Sequence, residues 1–376
     1  MVLMKKGLLA RHAVIGLCLL GMAVGAVSCS GGGQRHVTDE VADTVALRYA
    51  RGITLVEHAD YLEALIADPW KAGSLLARYE MRQPLTHAAV FISSVASLAD
   101  DLGCLDAVSG ICEPEYMANA HIHHALSEGR MADLGSAMTP DKERIIDLAP
   151  DALLLSPFEN VSSYGNLDQL GIPIIPCADY MESSPLARAE WMRFYGRLFG
   201  CGETADSLFA AVEASYQALQ QAGHGALSAS EGGREAHEAP SVIFDTRNGS
   251  AWYMPGGRST LGQMVADAGG RYVFADDGHS GSVPYSFEQV YDQGREADVW
   301  LLRYTAQQRM TLPALRAEYE PYSRFRAFRE GRVYGCNNAE LIFFEEYPFH
   351  PDRLLLDFVR IFSGRDDEGL RYFHRL

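Results

Sequence analysis

The feature that most restricts the fold is an alternation of short apolar runs with helical stretches, which occurs in two series. In the first, "AAVFISS" precedes "VASLADDLG", "LDAVSGI" precedes "NAHIHHALSEG", "DALLLSP" precedes "YGNLDQLG", and "IPIIPC" closes the set. The second runs through "SVIFDT", "AWYMPGG", "STLGQMVADAGG", "YVFADD", "SFEQVYDQG", "ADVWLLRY" and "RVYGCNN". Unbroken apolar runs suit strands covered on both faces, and the helices between them supply the crossovers of a parallel sheet. Two series in a chain of 376 residues predict two α/β lobes, because that length exceeds one comfortable core.

Three strand-like segments, "RYARGITLVEH", "YLEALIAD" and "LLARYEM", precede the first series. Between the two series, "SPLARAEWMRFYGRLFG" spaces Trp191, Phe194, Tyr195, Leu198 and Phe199 as a helix buried along one face. A second helix, "ETADSLFAAVEASYQALQQAG", follows. The stretch "HGALSASEGGREAHEAP" has no periodicity and is rich in Gly, Ser and Glu, so it reads as an exposed loop. The expected boundaries are a first lobe over 37–184, a linker helix region over 185–222, an exposed loop over 223–240 and a second lobe over 241–376. "HPDRLLLDFVRIFSG" is an amphipathic helix near the end.

The first residues fix the compartment. Lys5, Lys6 and Arg11 precede an apolar run from Ala13 to Val27, and small residues lead into Cys29. Basic, then apolar, then small is the order of a secretory signal peptide, here 1–28, and the run is short of the roughly 20 residues that span a bilayer. Ala26-Val27-Ser28-Cys29 resembles a bacterial lipobox, although Ala26 stands where Leu is usual; the alternative is a soluble secreted protein cleaved nearby. Acylation at Cys29 would anchor the chain to a membrane, with 29–36 as a Gly-rich tether. Removing three basic residues from 32 leaves 29 against 49 acidic ones, a net charge of −20 that argues against nucleic acid and anionic lipid as partners.

With Cys18 and Cys29 set aside, Cys104, Cys112, Cys177, Cys201 and Cys336 remain, and no pair has zinc-like C-x2-C spacing. Cys104 and Cys112 could pair in an oxidising compartment, or stay as buried thiols. An odd count leaves at least one thiol unpaired in a monomer.

The lobes echo each other. "TPDKERIIDLAPDALLLSP" sets Glu143 at a helix start, then Asp151 and a buried strand; "PYSFEQVYDQGREADVWLLRY" does the same with Glu288 and Asp298, two residues longer. One acid at a helix start follows from the helix dipole alone. Two matched units predict pseudo-symmetric halves with matched acidic knobs.

These segments, with "FRAFREGRVYGCNN", "SPLARAEWMRFYGRLFG" and "WYMPGGRSTLGQMVADAGG", resemble the solute-binding lipoproteins of ABC importers for iron complexes and cobalamin. One departure is Ala297, where the family's second-lobe signature usually has Pro. The resemblance implies two Rossmann-like α/β lobes joined by a rigid linker helix, the class III periplasmic binding protein fold. It also implies a monomer on the periplasmic face of a Gram-negative-type envelope, surface exposure being the alternative. Glu143 and Glu288 match the glutamates that dock on arginines of the permease and ATPase complex. Such exposed acids would orient docking more than bind tightly.

Open α/β sheets collect ligands at the carboxyl ends of their strands. The ligand-binding candidates there are Ser94, Tyr116, Phe158, Trp252, Tyr253, Arg258, Tyr285 and Tyr304, with Ser93, Tyr180, Asn337 and Asn338 nearby. Rigid aromatics suit a bulky, flat or ring-shaped ligand, and Arg258 suits carboxylates or an anionic chelate, or else braces its Gly-rich turn. His121, His123 and His124 crowd one segment, where His121 and His124 are i,i+3 neighbours and weak metal candidates. A solvated helix face is the competing reading. Tyr116 or His121 could alternatively be an axial ligand of haem.

An enzyme is not expected: there is no G-x-S-x-G elbow, no H-E-x-x-H and no P-loop, and Gly256-Gly257 reads as a turn. The expected activity is capture of an iron complex, a ferric siderophore or haem, for an ABC permease. Cobalamin is the alternative ligand, a directly bound metal ion at His121 and His124 a lesser one, and an uptake lipoprotein serving an outer-membrane receptor a third role for the same fold.

Overall fold

The computed structural model describes residues 43–159, 164–228 and 238–376. The signal segment 1–28, Cys29 and the tether 29–36 lie outside the described residues, as does 229–237 of the expected loop.

Each series folds into its own five-stranded sheet. The first is wholly parallel, in the order Ala132–Asp133, Val108–Ile111, Ala88–Val90, Ala152–Leu155, Ile174–Pro176. The second runs Arg271–Tyr272, Ser241–Phe244, Val299–Tyr304, Val333–Asn337, His374–Arg375, and only the last strand is antiparallel. Val108–Ile111, Ala152–Leu155 and Ser241–Phe244 are buried at every position, as strands covered on both faces must be. "AWYMPGG" departs from the expectation: Ala251–Pro255 pairs antiparallel with Arg247–Asn248 and Ser282–Tyr285 in a separate three-stranded sheet.

The linker is helical but not one rod at its start. Pro185–Glu190 and Met192–Leu198 meet at Trp191, and the long helix Gly202–Ser228 follows. Trp191, Phe194, Tyr195, Leu198 and Phe199 are all buried, as their spacing predicted. The long helix contributes Ala205, Phe209 and Val212 to the first lobe's core, then Tyr216 and Leu219 to the second lobe's. It continues through Ser228, so the first part of the expected 223–240 loop is helix.

The three strand-like segments at the start form an antiparallel sheet with Asp43–Val45, in the order Asp43–Val45, Ile53–Glu57, Leu62–Ala67, Leu75–Met81. Ile53, Leu55, Leu62, Ala64 and Ile66 join the first core, as period-two alternation requires. The opposite face carries Glu63 between Arg78 and His58. Between the first two strands, three glutamates, Glu182 just before the linker region and Glu190 and Glu213 within it, clasp the chain. Glu190 accepts the backbone N–H groups of Arg48, Tyr49 and Ala50, each at 2.8 Å. Glu182 accepts those of Arg51 and Gly52 and the Trp191 indole N–H. Glu213 takes the Tyr49 hydroxyl and pairs with Arg48.

The disulfide joins Cys104 to Cys201, not to Cys112, with Cα atoms 6.7 Å apart. Cys112 is a buried thiol on the other face of the first sheet, pushed up to about 12 by burial and then by Glu113. The bridge ties the end of the helix Ser93–Asp101 to the start of the long helix and spans 97 positions of chain. Loss of so long a cross-link, in a Cys104→Ser and Cys201→Ser double variant, is expected to lower urea-unfolding stability by about 2–5 kcal/mol. Non-reducing peptide mapping should recover the two cysteines linked; an unchanged unfolding midpoint would contradict the structural role.

Candidate ligand cleft

In a parallel α/β unit a helix runs against its strands, so its N-terminus lies at the sheet's carboxyl edge. Glu143 lies in the first turn of Lys142–Leu148, capped by Asp141, whose side chain accepts Arg144 N–H. Glu288 lies in the first turn of Phe287–Gly294, capped by Ser286 and Gln289 in a reciprocal capping box. Both are exposed. The partner aspartates do something the sequence reading did not assign: each pins the start of a neighbouring strand. Asp151 accepts the N–H groups of Thr86 and His87 at 2.8 and 2.9 Å. Asp298 accepts the backbone N–H and hydroxyl of Ser241 at 2.8 and 2.7 Å. The halves therefore share a brace at one end of each sheet and an exposed acid at the other.

Five exposed large aromatics stand among the described residues: Tyr116, Phe158, Tyr180, Tyr253 and Phe344. Tyr116 follows Val108–Ile111, Phe158 follows Ala152–Leu155, Tyr180 follows Ile174–Pro176 and Phe344 follows Val333–Asn337. Tyr253 lies on the small antiparallel sheet, in the segment after Ser241–Phe244. All thus lie beyond carboxyl ends of sheet strands. The Tyr180 hydroxyl donates to Pro157 O at 2.5 Å and fastens two of these loops together.

Three of the expected cleft residues belong elsewhere. Trp252 is fully buried, donates its indole N–H to Phe244 O at 2.8 Å and packs 5.6 Å from Trp300 and 5.8 Å from Phe325. Neighbours in a strand face opposite ways, so Trp252 and Tyr253 cannot share the rim. Ser94 is only 3 % exposed, turned inward by the first turn of Ser93–Asp101. Asn337 is buried as well, holding the backbone of Ala306 at its N–H and its carbonyl.

Tyr304 and Tyr285 keep partly accessible rings but use their hydroxyls as braces. Tyr304 accepts Met310 N–H at 2.7 Å and lies 3.3 Å from His374 Nε2. Tyr285 donates to Asp277 at 2.7 Å; burial and that carboxylate push its phenol up to about 12. Asp277 also accepts the backbone N–H of His279 and lies 2.8 Å from its Nδ1, which fixes an exposed imidazole that sequence reasoning passed over. Arg258 N–H donates to His279 O, and among the described residues the exposed Arg258 guanidinium has no partner. The glycines before it are more than punctuation. A Cβ on Gly256 would sit 2.1 Å from His279 O, and one on Gly257 2.4 Å from Ala275 O.

Phe344 was also missed; the Arg303 guanidinium lies 5.7 Å over its ring and is paired with Asp245. Asp245 ends a buried strand with φ of 54°, a position where a short polar side chain is the usual non-glycine choice, so its place in "SVIFDT" was a usable signal.

The histidine segment is the helix Ala120–Ser127, and its imidazoles diverge. His121 Nδ1 meets Asp100 at 2.9 Å, His123 Nε2 meets Met117 O at 2.7 Å and His124 Nε2 meets Glu128 at 3.3 Å. Among the described residues no group of three or more His, Cys, Asp or Glu is gathered as a metal ion would need.

The lobes join through Phe343–His350. Phe343 packs in the second core and Phe349 in the first. Half-buried Arg188 pairs with Asp179 at 3.0 Å and donates to the Tyr347 hydroxyl at 3.2 Å, and His350 Nε2 lies 3.0 Å from Asp101.

A family model described as periplasmic binding protein matches residues 93–340. An uncharacterized lipoprotein of Methanocaldococcus jannaschii is 24 % identical over 299 residues, 75 % of this chain and 67 % of that protein. The structure of an ABC-type Fe3+-hydroxamate transport system protein from Saccharomonospora viridis aligns with a TM-score of 0.58 at 20 % identity, covering 76 % of this chain and 96 % of that one. A periplasmic heme binding protein from Pseudomonas aeruginosa aligns at 0.57 and 14 %, covering 74 % and 93 %. At such identities the solved structures speak to the fold, which is the two-lobed class III arrangement. The family is one of solute-binding proteins, not enzymes.

The aspartate braces carry a pH signature. Asp151 is held below the usual carboxylate range by Thr86 N–H and then His87 N–H; Asp298, despite burial that opposes it, is held low by Ser241. A carboxylate depressed by folding stabilises above its unfolded pKa, and that contribution fades as pH falls through the folded value. Asp298→Asn is expected to cost about 1–2 kcal/mol at pH 7 and less at pH 3. Urea unfolding at both pH values measures the difference, and equal losses would contradict it.

Proposed function

Since the chain belongs to the periplasmic binding protein family, we propose that it is the solute receptor of an ABC importer, capturing a ferric siderophore or haem between its lobes and delivering it to the permease and ATPase complex. The observation that carries this reading is the set of exposed aromatics on both lobes, all beyond carboxyl ends of strands. Isolated exposed apolar side chains need no explanation, but five exposed rings all placed beyond the carboxyl ends of strands in two sheets do. They offer large contact area at small entropic cost, which suits a bulky, rigid chelate. Arg258, with its guanidinium uncommitted, and His279 add a cation and a donor for an anionic ligand. Cobalamin is the second reading, favoured by the mainly aromatic lining.

Glu143 and Glu288 are the docking residues in this reading. Each is exposed at a helix N-terminus, on a different lobe, so the distance between them follows the lobe angle. Family membership and lipoprotein relatives support an extracytoplasmic, membrane-associated location, with Cys29 as the acylation site. Among the described residues no helix is long and apolar enough to cross a membrane.

Three results are expected. Protein purified from its native host should carry the visible absorbance of an iron chelate, whereas a cobalamin spectrum would select the second reading. Tyr116→Ala combined with Phe158→Ala should weaken binding of the chelate about tenfold or more, since losing two ring contacts removes at least ~1.4 kcal/mol. Glu143→Arg with Glu288→Arg should abolish uptake in cells while leaving affinity in solution unchanged; undiminished uptake would remove the docking roles.

A further inference from the structure

Glu345 is 5 % exposed and has no cationic partner among the described residues. It lies in the short helix Phe343–Glu346, which leaves the carboxyl end of a second-lobe strand and is rooted in the second core by Phe343. Its two oxygens, however, are used by the first lobe. Oε1 accepts Ala118 N–H at 2.7 Å and Oε2 accepts the Ser97 hydroxyl at 3.1 Å. Ser97 Oγ in turn accepts a hydrogen bond from Asn119 Nδ2 at 3.3 Å, which also reaches Asp100 at 3.0 Å. Asn119 caps the histidine helix by accepting His121 and Ile122 N–H, and Asp100 holds the His121 ring.

A carboxylate taken out of water without a counter-charge is costly, and only well-made hydrogen bonds offset that cost. Here those bonds end on the two residues that follow the exposed Tyr116 ring by two and three positions, or on a group bonded to them. Backbone and hydroxyl bonds in series also polarise one another, so the chain Asn119–Ser97–Glu345 acts as a unit.

We propose that Glu345 is a positioning residue for ligand capture: its carboxylate, on a helix rooted in the second core by Phe343 and packed on the first-lobe helix Ser93–Asp101, sets the ligand-facing turn of the first lobe, Tyr116 to His121. Removing that carboxylate takes the acceptor from Ala118 N–H, frees the turn and weakens the grip on the ligand. The proposal rests on the cleft reading above.

The test uses the full chain with two probes, a ferric trihydroxamate and ferric protoporphyrin. Glu345→Ala should speed amide exchange at Ala118 and Asn119 at least tenfold and raise the Kd and off-rate of the bound probe about tenfold. Glu345→Gln, whose carbonyl can still accept Ala118 N–H, should restore most of the affinity. In the wild-type chain, which needs no variant to fold, ligand should slow exchange at Ala118. Freed Ala118 with unchanged affinity overturns the proposal, as does equal loss in the Gln and Ala variants. Binding of neither probe by the wild-type chain overturns the cleft reading and this proposal together; binding that Tyr116→Ala weakens but Glu345→Ala does not overturns the proposal alone.

Discussion

The arrangement depends on a carboxylate without exposure. Glu190 is fully buried and takes three consecutive backbone N–H groups, from Arg48, Tyr49 and Ala50. An ion so placed would cost several kcal/mol if unpaired. Three short bonds and the nearby Arg193 guanidinium make it instead the fixed point onto which the first strands are fastened. Glu182 and Glu213 extend the clasp on either side, and Tyr49 packs against both hydrophobic cores. The antiparallel sheet, the linker and the two lobes therefore meet at one short run of backbone. That sheet precedes the matched family region, which begins at residue 93.

From this frame the two halves diverge in detail while keeping one logic. In each, an aspartate before a central strand holds the start of its neighbour, and the preceding helix presents a glutamate at the far edge. The first helix closes with Ala149 in a left-handed conformation, whereas the second continues through Arg295 in a right-handed one. The two extra residues of the second unit are absorbed there, and the braces remain equivalent.

Most of the architecture was legible because buried parallel strands leave unbroken apolar runs, and a helix buried on one face repeats its aromatics at fixed spacing. What was not legible has physical causes. "AWYMP" is as apolar as a sheet strand, and its place in a separate antiparallel sheet depends on tertiary pairing with Ser282–Tyr285. The helix runs on through Ser228, where His224 reaches Ala266 O; a polar stretch gives no sign of such a contact. Cys104 and Cys201 are far apart in sequence, and proximity in space cannot be read from spacing. At the cleft, residue type identified candidates but not the face they occupy, so Trp252 and Ser94 moved to the core while Phe344 and His279 emerged. Glu345 carried no local signal at all, because its partners lie on the other lobe.

The long helix has a consequence for how this molecule comes apart. Its first half is packed into one core and its second half into the other, and Tyr216 is also bonded to Asp267 of the second lobe at 2.6 Å. Two-lobed proteins joined by slender strands can melt in stages, one lobe surviving the other. Here neither lobe can lose its packing without stripping one side of a spine that the other still needs, so partial unfolding has no stable stopping place. A protease or a pulling force would find the chain either whole or open along its length.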